Sequence, residues 1–456
     1  MNFRILNSSR PAQASAPRSR ELLFLTIPQL GLMLCHLAIS LTDVWTAGQI
    51  DAGVLAVLGF ITQISTFLML LISLVGSGCM ATVSQALGAG RRERAARYAG
   101  LIVAISFLSG CIVALTALTA LPLVLRFGHV PEGLKTVVVT FSRAYAAHLP
   151  CYYCMIMLNS VFRAHKLVWL PLGTLALVAL LNLAGSAGLG LGLWGLPRYG
   201  FAAVAWATFF SSLFGVSCNL LLAARRGILT RDSFGPWRWN RIAAPRLWHI
   251  GAPAALGNLV AHLGAVFTLT LLADMPQDST AAVGGLTVGA RITACLGMPL
   301  NALGMTVTIL SGHLIGARRS QDAYALGRDC AVRAAVCMGL AALVLAVFRE
   351  GAARLLATDR ATIVLAACYL LPACCALPFQ AVTQMLSAVL AGAGATRSIC
   401  WIGCISTWCV GVPTAWLLAY PAGRGAGGIY VGMALGSVCA ALLTVVVFRK
   451  RQWQKA

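Results

Sequence analysis

Long apolar runs, separated by short basic or glycine-containing stretches, recur from Leu22 to Phe448. Each is long enough to cross a hydrocarbon core of ~30 Å as an α-helix, which satisfies its own backbone hydrogen bonds in lipid. The pattern predicts twelve spans, at roughly 22–47, 53–83, 98–122, 137–160, 168–192, 200–223, 247–273, 281–313, 324–348, 361–391, 398–420 and 427–448. Prolines inside them, such as Pro28, Pro253, Pro299 and Pro378, are tolerated because neighbouring helices re-satisfy the freed carbonyls. The first twenty residues contain Arg4, Arg10, Arg18 and Arg20 and lack the apolar core of a signal peptide. The first apolar run is therefore kept as a span.

Composition agrees with an all-α integral membrane protein. Of 456 residues, 59% are hydrophobic and 10% charged, against about 25% charged in soluble domains. The net charge of +22 follows topology. Arg91, Arg92, Arg94, Arg97, Arg163, Lys166, Arg225, Arg226, Arg318, Arg319, Arg397 and the basic residues at both termini fall on one side of the predicted spans. Arg126, Lys135, Arg198, Arg349, Arg354, Arg360 and Arg424 fall on the other, while Arg143, Arg291 and Arg333 lie in spans or at their margins. The positive-inside rule then predicts a cell inner membrane protein with both termini cytoplasmic and no nucleic-acid partner. Most of the sixteen cysteines lie in apolar runs, where Cys acts as a small hydrophobe. Cys151-Tyr-Tyr-Cys154 has redox or metal spacing but no second ligand pair, so it reads as packing.

The halves repeat. Pro28 opens the first span and Pro253 the seventh; Gly88-Ala89-Gly90-Arg91-Arg92 parallels Gly316-Ala317-Arg318-Arg319, and 162–165 parallels 391–394. The stretch from Gly200 parallels that from Gly425, with the offset staying between 225 and 229 residues. Six spans per half is an even number, so the halves share one orientation, related by an axis along the membrane normal. The predicted organisation is a tail (1–21), a first lobe (22–223), a cytoplasmic linker (224–246), a second lobe (247–448) and a tail (449–456). A central cleft between the lobes is the expected substrate site.

These residues resemble the multidrug and toxic-compound extrusion (MATE) family over nearly the whole chain. The likeness rests on Pro28 with Asp43 and Gly48, on Leu55-Ala56-Val57-Leu58-Gly59, and on Val83-Ser84-Gln85-Ala86-Leu87-Gly88-Ala89-Gly90. Asn182 and the stretch Gly200 to Thr208 fit the later pattern. The resemblance implies twelve helices in two pseudo-symmetric, V-shaped six-helix lobes that export organic cations in exchange for protons or sodium ions. This chain departs from many relatives in having Ser186 where they carry an acid, and no carboxylate in spans seven and ten. A second-lobe cation site is therefore in doubt.

Of twelve acidic residues only Asp43 sits inside a long apolar segment. An intramembrane carboxyl tends to pair, protonate or bind a cation, and marks a functional site. A sodium ion needs several oxygen ligands, whereas a proton needs one titratable group, so the expected coupling ion is the proton rather than sodium. Asn182 and Thr208, by resemblance, and Ser186, by position, are its candidate hydrogen-bond partners. The alternative is that Asp43, five residues from Gly48, caps a helix end. His36 and His262 are near-equivalents in the two repeats, and His36 stands two turns before Asp43. They could line the cleft or merely pack. Gln380 and Arg291 complete the candidate substrate cleft.

Other classes lack their motifs. There is no phosphate-binding Gly-x-x-x-x-Gly-Lys-Ser/Thr loop, no His-Glu-x-x-His and no aspartate cluster for magnesium, so no enzymatic activity, cofactor or metal is expected. The open rival is a lipid-linked saccharide flippase of the same broad superfamily, whose cationic cleft Arg143 and Arg291 would suit. A channel fits two packed lobes poorly. A monomer surrounded by lipid and carrying a small-molecule substrate is the expectation.

Overall fold

A computed structural model describes residues 19–50, 76, 78–127, 132–275 and 279–455. The first eighteen residues, most of the second predicted span and the 55–59 motif lie outside them. Among the described residues the structure is helical, without strands. The first lobe holds α1 (Ser19–Ile50), α2 (78–88), α3 (Arg92–Phe127), α4 (Glu132–Ala164), α5 (Trp169–Leu191) and α6 (Phe201–Arg225). The second holds α7 (Trp237–Ala273), α8 (Ser279–Gly316), α9 (Ser320–Val347), the short α10 (Arg349–Arg354), α11 (Arg360–Ala393), α12 (Thr396–Cys404), α13 (Val412–Ala419) and α14 (Gly425–Arg449). Ten of the described helical stretches are long and apolar enough to cross a membrane. The fourth predicted span falls on α4, which also carries Glu132, Lys135, Arg143 and Arg163.

Two features differ from the sequence expectation. Helix α7 begins at Trp237, inside the segment read as a linker, because only Pro245 interrupts it and a proline alone does not end the helix. The eleventh span is not one continuous α-helix, since residues Ile405–Gly411 form a π-helical turn between α12 and α13. Pro413 follows it; with no N–H and a ring that crowds the carbonyl four residues back, it is accommodated by widening the preceding turn.

The lobes use the same packing plan. In the first, α1 packs on α5, α3 on α4, α4 on α6 and α5 on α6. In the second, α7 packs on α12, α9 on α11, α11 on α14 and α13 on α14. One apolar core centres on Ile102, Leu149, Leu158 and Phe162 of the first lobe and takes in Ala243 and Leu247 of α7, while another centres on Leu370, Met385, Val389 and Leu390 of the second and takes in Leu25 of α1. In lipid such packing rests on van der Waals fit more than on water exclusion. Asp359 starts α11 by accepting the Thr362 backbone N–H at 2.9 Å; that bond and one from the Thr362 hydroxyl hold its carboxyl below the usual carboxylate range.

The lobes meet at the arginine-rich end of the bundle. Thr26 and Gln29 of α1 reach Thr306 of α8 at 3.0 and 2.9 Å. Gln85 Nε2 donates to the Gly392 carbonyl at 2.8 Å, and His313 Nε2 donates to the Ala164 carbonyl at 2.8 Å. Small residues make this approach possible. A Cβ on Gly88 would overlap the His313 carbonyl, and one on Gly316 the Gln85 carbonyl. Lys166 and Glu21 close the rim at 2.8 Å, but both are well exposed, and such surface pairs contribute only about 0–1 kcal/mol. The seam predicts that Gly88→Leu wedges the lobes apart at this end. Spin labels at Arg91→Cys and Arg319→Cys, in a background with other reactive cysteines replaced, should move apart by several ångströms; an unchanged distance would show that the glycine contact does not set the closure.

Candidate functional site

Asp43 lies 22 residues along α1 from Glu21, about 33 Å toward the opposite end of the helix from the seam. It is half-buried and looks into the first lobe. Ser186 of α5 donates from Oγ to Asp43 Oδ1 at 3.5 Å, and the Asn182 amide, one turn earlier on the same face, also hydrogen-bonds the carboxyl. Asn182 Nδ2 donates to Thr208 Oγ1 of α6 at 3.1 Å, and the Thr208 hydroxyl donates to the Val204 carbonyl. Asn182 and Ser186 are fully buried. A polar chain thus crosses from α1 through α5 to α6 and ends on backbone. The four residues singled out in the sequence, Asp43, Asn182, Ser186 and Thr208, are brought together, and each partner offered to the carboxyl is neutral.

A second feature of this lobe was missed by the sequence reading. His148 of α4 is buried, with its ring 5.5 Å from that of Tyr145 and 4.8 Å from that of Tyr152. Its ring also hydrogen-bonds the backbone of Thr208, the far end of the polar chain. Tyr152 in turn meets His36 of α1 edge-on at 6.5 Å. The signal was present: Phe141, Tyr145, His148 and Tyr152 recur at the spacing of one helix face. His36 therefore joins an aromatic row beside the Asp43 cluster.

The remaining candidates lie elsewhere. His262 is exposed on α7 and does not line the second-lobe cavity beside it. Gln380 of α11 does line that cavity, and its Nε2 donates to Ser437 Oγ of α14 at 3.3 Å. Arg291 is exposed on the α8 face that also carries Met298 and Met305. Met305 approaches the other lobe, accepting from Arg163 Nη1 through its sulfur at 3.2 Å. Arg291 lies 14 residues from that contact, about 21 Å along the helix. Among the described residues, no group of three or more His, Cys, Asp or Glu side chains could hold a metal.

Comparison with known proteins bears on the fold and the family. The MatE family profile matches twice, over residues 28–187 and 253–417. A protein of Bradyrhizobium diazoefficiens named probable multidrug resistance protein NorM is 27% identical over 459 residues, spanning 97% of this chain and 95% of its own. A protein of the same name from Rhizobium meliloti is 28% identical, spanning 93% of this chain and 91% of its own. The crystal structure of the Vibrio cholerae MATE transporter VcmN in its bent form superimposes with a TM-score of 0.86 at 22% identity, over 94% of this chain and 96% of that one. Both profile matches open at the proline near the start of a lobe, Pro28 and Pro253; the chain belongs to the MatE family and is a membrane efflux transporter, not an enzyme.

Proposed function

We propose that the chain is a proton-coupled antiporter that exports organic cations or amphipathic toxic compounds across the inner membrane by alternating access. The observation that carries this reading is the Asp43 carboxyl, faced by the neutral donors Ser186 and Asn182 at the end of α1 away from the seam. A carboxyl with neutral partners, partly shielded from water, is stable either protonated or beside a cation, and exchange between the two is the elementary step of antiport. Sodium sites use several oxygen ligands, typically including unwound backbone carbonyls. Here α1 and α5 are continuous helices around Asp43, so their carbonyls are committed to the helix ladder. One titratable group is enough for a proton. The relatives named for multidrug resistance support a broad organic substrate range.

The positive-inside rule makes the arginine-rich end cytoplasmic. Among the described residues the hydrogen bonds between the lobes lie at that end, which supports reading this conformation as outward-facing, with Asp43 toward the outside. Arg163 at the seam donates to Ser160 Oγ at 2.6 Å and to the Met305 sulfur. A thioether is a weak acceptor, and the seam is suited to release when the lobes rock toward the inward-open state.

Three outcomes test this. In proteoliposomes, efflux of ethidium should run on an imposed pH gradient with sodium absent, and fail on a sodium gradient with the pH gradient collapsed; the reverse pattern sinks the proton assignment. Asp43→Asn keeps the volume and a hydrogen bond but cannot release a proton. It should fold, and efflux should fall to the level of protein-free liposomes, while Asp43→Glu retains partial efflux with a shifted pH profile. Wild-type efflux by the Asn variant would make Asp43 a helix-end residue. Finally, reporters fused after Ala456 or inserted near Gly227 should be cytoplasmic, and a periplasmic signal from either would overturn the orientation.

A further inference from the structure

The second lobe contains a counterpart of the Asp43 site without its charge. Asp43 stands fifteen residues after Pro28, and Thr268 fifteen after Pro253. Around Thr268 the structure opens a cavity of about 440 Å³ between α7, α11, α14 and the α12–α13 unit. These are the repeat equivalents of α1, α4, α6 and α5, the helices that surround Asp43. Its polar lining includes Thr268, Gln380, Gln384, Ser406, Thr407 and Ser437. The π-helical turn contributes directly: widening the turn brings Ser406 and Thr407 onto the same wall as Gly411 and Val412.

A second cavity, of about 400 Å³, shares Ala261 and Gln384 with the first and runs to Met305 and Thr308 at the edge of the lobe. Both volumes suit small-molecule sites of about 300–1,000 Å³. Among the described residues, neither is lined by a carboxylate, histidine, lysine or arginine.

The amides in this space are held in place. Gln384 Nε2 donates to Asn301 Oδ1 of α8 at 3.1 Å, as Gln380 Nε2 does to Ser437. Each such bond uses one N–H and leaves a carbonyl oxygen and a second N–H. An ion entering would shed water against neutral dipoles alone, which is costly without a counter-charge. A purely apolar ligand would strip these groups of water and leave them unpaired, at about 1–3 kcal/mol each. A neutral solute carrying its own donors and acceptors meets both constraints.

We propose that this cavity is a second substrate site, selective for uncharged, multiply hydrogen-bonding groups such as ring amides, imides and hydroxyls, separate from the cation-exchanging site at Asp43. It extends the exporter reading by naming a substrate class, and rests on that reading only in calling the ligand a substrate.

The test is equilibrium binding to the purified full chain in detergent, without any ion gradient, so its outcome is independent of which ion drives transport. Riboflavin, a fluorescent uncharged ring imide with a polyol tail, is the neutral probe, and ethidium the cationic one. Wild-type protein should bind riboflavin, and ethidium should not displace it. Gln384→Leu removes two hydrogen-bonding groups and should weaken riboflavin by about tenfold or more; Ser437→Ala, which frees Gln380, should weaken it less. Ethidium affinity measured on the same samples should hold, which also shows the variants are folded. No riboflavin binding by the wild type, wild-type affinity in both variants, or equal loss of both probes overturns the proposal.

Discussion

A carboxyl group set among apolar helices has to be protonated, paired or hydrogen-bonded, and in this chain that constraint falls on Asp43. Several of the other described acids are paired or capped outside the lobe interiors. Glu21 pairs with Lys166, Asp322 with Arg319 at 2.6 Å, and Glu350 with Arg354, while Asp359 caps a helix. Asp43 instead meets two neutral donors on α5, one of which is tied to α6. Three helices are thereby linked through a group whose charge can change, so a proton leaving or arriving alters the interaction of α1 with the rest of its lobe. The coupling reading grows from that arrangement.

Duplication supplies the frame and divergence the chemistry. Both lobes pack equivalent helices in the same pairs, yet the position of Asp43 is taken by Thr268, whose hydroxyl is spent on the Gly264 carbonyl at 2.8 Å. One lobe keeps a titratable group beside a row of histidine and tyrosine rings, and the other keeps an open cavity of amides and hydroxyls. Among the described residues the lobes touch at the arginine-rich end through close glycine contacts and the packing of α1 on α8, the kind of seam that alternating access has to make and break.

Much of this was legible in the chain. Apolar length gave the spans, and Pro28 with Pro253 marked the repeat. A lone acid in an apolar run, with Asn182 and Thr208 at family positions and Ser186 one turn after Asn182, described a cluster the structure brings together. The rest depends on what spacing alone does not carry. His148 was passed over, although Phe141, Tyr145, His148 and Tyr152 stand at i, i+4, i+7 and i+11, because a face of aromatics in a span ordinarily means packing. The pairing of His36 with His262 across the repeat does not extend to their surroundings: one packs against Tyr152 and the other is exposed. The π-helical turn depends on how Pro413 is relieved within a packed bundle, which a hydropathy pattern does not encode.

Proton release on substrate binding tests the central claim most directly. Ethidium titrated into the detergent-solubilised protein, by calorimetry in buffers of different ionisation enthalpy near neutral pH, reports the protons released per cation bound. If Asp43 exchanges a proton for the cation, release approaches one per cation in the wild type and vanishes in Asp43→Asn. Ethidium binding that releases no proton from the wild type at any pH between 5 and 8, or equal release from both proteins, would contradict the account.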